Sequence, residues 1–335
     1  MNKKTVLLVN LGTPDSPSTS DVRKYLFQFL NDPRVIDIPA LLRFLLVNLI
    51  IVPFRAPKSA KIYAQLWTDK GSPLLLHGLE LKQKVQDQLG TSYHVEFAMR
   101  YQNPSIPSVL EKIRKSNPSE LIVLPLYPHY ASSSTGSTIE LLLNTIRKWY
   151  VIPNLKVIGQ FYNHPGYIDS FVAQAKKFDL ASYDHILFSY HGLPVRQVDK
   201  VYDEGVCEDH DCENGITDKN YHCYKATCYE TTKLISEKLN LKAEDYSVGF
   251  QSRLDKNWLE PFSDQVVIQK AKSGVKKMLV FSPAFVADCL ETTIEIGHEY
   301  TELFKANGGQ ELDLVESLNS EPKWVDAVCD LVKNA

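Results

Sequence analysis

Four short runs of the chain are apolar almost without interruption, and each ends in a turn or irregular loop: TVLLVNLGTP (5–14), ELIVLPLYPHY (120–130), HILFSYHGLP (185–194) and KMLVFSPAFVADC (277–289). Unbroken apolar runs bounded by Gly and Pro predict parallel strands covered on both faces. Between them apolar positions recur at helical spacing, as in SDVRKYLFQFL (20–30), IPSVLEKIRK (106–115) and CYETTKLISEKL (228–239). Strand–helix alternation predicts an α/β fold. The runs also repeat. The first and third are a strand followed by Gly-x-Pro, and the second and fourth lead through an irregular loop to Thr-Ile-Glu at 138–140 and 293–295. This repetition predicts two similar Rossmann-like halves, 1–160 and 161–335, each a parallel sheet flanked by helices, with a helix at EPKWVDAVCDLVKN closing the chain. Ligands of such sheets bind beyond the carboxyl ends of the strands. That rule gathers Leu11–Thr13, Tyr127–Gly136, His191 and Asp288–Glu295 around one expected interdomain cleft.

Composition narrows the chemistry. The 335 residues are 44% hydrophobic and 23% charged, enough for two substantial cores. A net charge of −3 with no basic run argues against a nucleic-acid partner. Neither G-x-G-x-x-G nor a P-loop motif occurs, which argues against dinucleotides and nucleoside triphosphates. The opening MNKKTVLLVNLGTP breaks at Gly12, too early for a secretory apolar core, so a first strand and a cytoplasmic location are expected. The most apolar window, PALLRFLLVNLIIVPF (39–54), carries Arg43 and Asn48 and falls short of the roughly 20 residues that span a bilayer. It reads either as a buried helix or as an apolar lip, 41–52, that touches lipid or a greasy substrate.

Titratable residues cluster at the expected strand ends. His191 sits at a strand tip, where a histidine is either a loop anchor or a proton acceptor. Asp288 and Glu291 have capping-box spacing. Glu291, Glu295 and His298 are spaced i, i+4 and i+7, which would place all three on one α-helical face. Adjacent carboxylates near a neutral histidine can hold a divalent cation and accept protons. Separately, Cys207, Cys212, Cys223 and Cys228 follow C-x4-C-x10-C-x4-C within 22 residues. Disulfides are disfavoured in the cytoplasm. Zinc, with His210 and His222 as further donors, and an iron–sulfur cluster both remain open, the first at the wide limit of its usual spacing.

The motifs LLVNLGTP, FRAPKSAKIY, GSP, MRYQNPS, LYPHYASSSTGST, SYHGLP, FQSR, NWLEP and FVADCLETTIEIGHEY occur in the order and spacing of ferrochelatases, across essentially the whole chain. The chain thus resembles that family. The resemblance implies insertion of Fe2+ into protoporphyrin IX, the last step of haem synthesis. It makes His191 and Glu291 the catalytic pair that handles pyrrole protons and metal, with Asp288 and Glu295 continuing an acidic track. It assigns Leu11, Trp258 and the lip to apolar porphyrin contacts, Arg55, Tyr63 and Ser72 to the propionate side, and Arg100, Tyr101 and Tyr127 to the cleft. It also raises a [2Fe-2S] cluster above zinc for the four cysteines. Cys289 departs from the many relatives that carry histidine there. The rival readings are a coproporphyrin ferrochelatase, a cobalt or nickel chelatase for a more carboxylated ring, and a non-enzymatic porphyrin or metal carrier. Peripheral attachment at the inner face of the membrane, through the lip, is a further expectation.

Overall fold

The computed structural model describes residues 4–335. Strands β1 (Lys4–Gly12), β2 (Tyr93–Tyr101), β3 (Glu120–Pro125) and β4 (Asn154–Val157) form one sheet in the order β2-β1-β3-β4. Strands β5 (His185–His191), β6 (Tyr246–Gln251), β7 (Lys277–Phe281) and β8 (Glu311–Leu314) form a second, in the order β6-β5-β7-β8. Every pairing is parallel. The chain divides into two compact units: Met1–Tyr127 with Ala131–Gln160 and Val328–Ala335, and Pro128–Tyr130 with Phe161–Ala327. The division falls inside the last helix, Pro322–Lys333.

The unbroken apolar runs become the central strands because both faces are covered. Val6, Leu7, Leu8 and Val9 are fully buried in β1, as are Met278, Leu279, Val280 and Phe281 in β7. Each such side chain contributes roughly 1.5–3 kcal/mol through the water it sheds. The three helical patterns fold as Thr19–Leu30, Ile106–Ser116 and Tyr224–Leu239. Their apolar stripes pack inward, with Val109, Leu110 and Ile113 against β1 and β3 in the first unit.

The two units repeat each other in detail. Gly12 ends β1 beside Tyr101 of β2, and Gly192 follows β5 with its amide donating to the Gln251 carbonyl of β6 at 2.7 Å. Both glycines are required by close approach. A Cβ on Gly12 would lie 2.1 Å from the Tyr101 carbonyl oxygen, and one on Gly192 2.8 Å from that of Gln251. The residue after each neighbouring strand is left-handed: Gln102 at φ 63° and Ser252 at φ 62°. Chain return then follows one scheme, Met99 N–H donating to Pro104 O and Phe250 N–H to Pro261 O. After β3 and β7 the chain enters a π-helical segment, Ser132–Gly136 and Glu291–Tyr300 respectively, continuous with an α-helix.

The apolar window departs from its expected length. Ala40–Leu45, a π-helical stretch Leu46–Ile51 and Val52–Leu66 run on as one helix of 27 residues, long and apolar enough to cross a membrane. Pro53 lies in a first turn and Pro57 removes one donor without ending the helix. The buried reading fails: Leu41, Leu42, Phe44, Leu45, Leu49, Ile50 and Phe54 are exposed, Leu41 and Phe54 by more than 70%. Asn48 is not stranded, since its amide donates to Phe44 O at 2.8 Å and pairs with Asn31.

Candidate active site

His191 ends β5 half-buried, in register with Gln251 of β6. Its Nδ1 lies 2.6 Å from the Gly192 carbonyl oxygen. A carbonyl only accepts, so Nδ1 carries the proton and Nε2 keeps the lone pair. The ring is flanked by Trp258 and Phe285, centroids 6.4 and 6.2 Å away. The loop after His191 is fastened to the Trp258 strand segment by Val195 N–H to Asn257 O and Leu259 N–H to Leu193 O, each 2.9 Å.

The acidic residues come from the π-helical segment Glu291–Tyr300, which buries Thr292, Ile294, Ile296 and Tyr300 and leaves Glu291 and Glu295 half-buried. Glu295 lies in a built cradle. Ser252 donates to it from both its amide (2.9 Å) and its hydroxyl (2.5 Å), and Gln251 Nε2 (3.3 Å) and the Tyr300 hydroxyl (3.3 Å) add to these. The left-handed backbone at Ser252 is what turns both of its donors onto one carboxylate. Gln251 is itself oriented by Ser189, whose hydroxyl donates to its Oε1 at 2.8 Å. Burial pushes the Glu295 carboxyl up; the Ser252 hydrogen bonds oppose that rise, and the neighbouring Glu291 adds to it.

Two expected residues turn out otherwise. His298 is exposed and 3.8 Å from Glu302, away from the two glutamates. In a helix bonded i→i+5 the turn is wider than 3.6 residues, so a seven-residue step no longer returns to the same face. Asp288 is held by the Ser317–Asn319 loop: its amide donates to Asn319 Oδ1 (2.9 Å), and Asn319 Nδ2 donates to its carboxylate (2.7 Å). It anchors the segment rather than extending a track. Cys289 is fully enclosed, and burial pushes its thiol up.

In the first unit, Arg100 and Tyr101 belong to a buried network rather than to a ligand surface. Asp32, nearly fully buried, accepts from Arg100 Nη2 (2.5 Å), the Tyr101 hydroxyl (2.9 Å) and Ser137 Oγ (2.5 Å). Tyr101 has no exposed surface. Arg55 is exposed, Leu11, Tyr63 and Tyr127 are half-buried, and Ser72 is buried with a hydroxyl that lacks a hydrogen-bond partner.

The Sγ atoms of Cys207, Cys212 and Cys223 lie within 4.8 Å of one another, all buried, with Cys207 and Cys223 3.5 Å apart. Thiol hydrogen bonds from Cys207 and Cys212 pull the Cys223 thiol down. Cys228 is fully buried on the helix that starts at Tyr224 but stands outside this trio. His222 is exposed, and neither it nor His210 joins the group.

The family model for ferrochelatase matches residues 3–335. A ferrochelatase of Coxiella burnetii (strain Dugway 5J108-111) is 43% identical, covering 100% of this chain and 94% of its own. One of Legionella pneumophila (strain Paris) is 41% identical, covering 98% of each. The chain belongs to the ferrochelatase family. As a ferrochelatase it is a metal–porphyrin chelatase that inserts Fe2+ into a porphyrin. SirB from Bacillus subtilis with Fe3+ shares the ferrochelatase fold at a TM-score of 0.56 and 12% identity, covering 99% of this chain and 95% of that one. Ser252, Gln251 and Asn319 were missed as site residues in the sequence. The strand-end rule points to the first two, while nothing local marks Asn319.

Proposed function

We propose that the porphyrin is protoporphyrin IX, and that His191 and Glu291 carry the exchange of two pyrrole protons for Fe2+. The free Nε2 of His191 supports its role as proton acceptor: it can take a pyrrole proton while Nδ1 stays bonded to the Gly192 carbonyl. Glu291 handles the second proton or the entering metal, and Glu295, held by Ser252, is its half-buried neighbour. Leu11, Tyr127 and Trp258 serve the macrocycle, and Arg55, Tyr63 and Ser72 the propionates. The choice of ring rests on the exposed apolar lip, which suits a substrate with two carboxylates better than one with four. Through the same lip the enzyme touches the inner face of the membrane from the cytoplasm. Steady-state rates with Fe2+ and either porphyrin, measured anaerobically, test this. Protoporphyrin should win in kcat/KM by about tenfold or more, roughly 1.4 kcal/mol. Equal or better use of coproporphyrin overturns the assignment.

We further propose that Cys207, Cys212, Cys223 and Cys228 hold a [2Fe-2S] cluster. A zinc site built from four cysteines needs every pair of sulfurs within about 4.6 Å, twice the Zn–S bond. A two-iron cluster takes two thiolates on each iron, so it does not need all four sulfurs within one such shell. The cluster would supply a one-electron centre, and the chain's own part is to keep these thiols buried and close. Anaerobically purified protein should be red-brown with near two irons and two acid-labile sulfides per chain. A colourless protein with stoichiometric zinc overturns it.

A further inference from the structure

Beside the cysteine trio stands a tyrosine that the chelation reaction does not use. The Tyr202 ring lies flat on the His210 imidazole, centroids 4.0 Å apart and planes within 7°. Its hydroxyl is 3.0 Å from Cys212 Sγ. The other polar neighbours of that sulfur are looser, with the Cys207 carbonyl at 3.6 Å and Asn220 Nδ2 at 3.9 Å. Tyr202 follows the short helix Val195–Asp199, and Asp199 Oδ1 accepts from the Cys207 amide at 2.9 Å. The tyrosine and the first thiol are thus held by one stretch of chain. His210 limits rotation of the ring, so the hydroxyl stays at the sulfur.

Between a thiol and a phenol either group can donate. Once Cys212 binds metal it is a thiolate with no proton, and only the phenol can give one. We infer that Tyr202 is a positioning residue for the group held by these cysteines, donating an O–H···S hydrogen bond to Cys212 that raises the reduction potential of the [2Fe-2S] cluster. This rests on the cluster reading above. One-electron reduction adds negative charge to the cluster, and a donor at a ligand sulfur stabilises the more negative state more strongly.

The test uses the whole protein, purified anaerobically, as wild type and as Tyr202→Phe, which keeps the stacked ring and removes only the donor. Both are titrated with dithionite in the presence of redox dyes, following visible bleaching and the electron paramagnetic resonance of the reduced cluster. At the wild-type midpoint the variant should be about tenfold more oxidised, a shift of about 59 mV for one electron. Loss of iron from a Tyr202→Phe protein with wild-type circular dichroism also supports the role, since the missing oxygen is the sole change. An unchanged midpoint at unchanged iron and sulfide content overturns the role of Tyr202 and leaves the cluster standing. A wild-type protein without labile sulfide overturns both.

Discussion

At the scale of single residues, the site divides into groups that can react and groups that hold them. His191 makes one short hydrogen bond, to the carbonyl next to it, so His191→Ala removes little that the fold depends on. That variant should keep wild-type circular dichroism and lose chelatase activity by the 10²–10⁴-fold typical of a general base, roughly. Retention of more than about a tenth of wild-type turnover would make the histidine structural. Glu291→Gln should likewise stop turnover while leaving porphyrin affinity near wild type in a fluorescence titration; affinity that collapses with activity would place Glu291 in the ring-binding slot. A strand end and a family motif both point to these two residues in the sequence. The holding groups were not legible. Asp288 meets Asn319 across 31 positions and Asp32 meets Arg100 across 68. No local pattern records which partner a buried carboxylate finds, so Asp288 read as a track and Arg100 as a ligand contact.

Among the elements, the two that depart most from the sequence reading are both π-helical. Spacing alone suggested an α-helix through Glu291–Tyr300, because the apolar positions Ile294 and Ile296 do not by themselves reveal an i→i+5 bond pattern. The consequence is chemical: Glu291 and Glu295 stay neighbours while His298 faces solvent. The second case is the lip, where a π-helical stretch links two α-helical parts and the whole runs to Leu66. Its apolar side chains are exposed, so replacing them does not open a core cavity. The quadruple variant Leu42→Gln, Phe44→Gln, Leu49→Gln, Ile50→Gln should therefore keep its thermal midpoint within a few degrees, since exposed substitutions each stay within about 0.5 kcal/mol. It should also lose flotation with liposomes. Undiminished flotation would show that some other surface makes the lipid contact, and a large fall in the midpoint would show that the lip is packed.

For the whole molecule, one scaffold has been used twice and furnished with chemistry once. Aligning Thr-Ile-Glu at 138–140 with 293–295 puts Gly136 at the place of Glu291, and aligning Gly12 with Gly192 puts Leu11 at the place of His191. Glu140, the counterpart of Glu295, pairs with Arg34 instead of sitting in a serine cradle. The second unit also carries two buried histidines, His129 and His185. Burial lowers His129 to about 3 and His185 to about 4. His129 makes one hydrogen bond, Nε2 to Thr231 Oγ1 at 2.9 Å, and its Nδ1 has no hydrogen-bond partner; His185 Nε2 lies 2.7 Å from Ser247 Oγ. In the unfolded chain both titrate near the ordinary value of about 6.5. Between that value and the folded ones the unfolded state binds more protons, so stability falls as pH drops from about 6.5 through 4. The lowered carboxylates of the first unit, Glu96 and Glu120 among them, give way only below the ordinary glutamate range. The second unit should thus lose amide-exchange protection first on acidification. His129→Gln and His185→Gln combined should be less stable than wild type at pH 7 through lost packing, yet lose less stability between pH 7 and 4.5 in urea titrations. Stability curves that stay parallel across that interval would show that these two imidazoles do not govern the acid response.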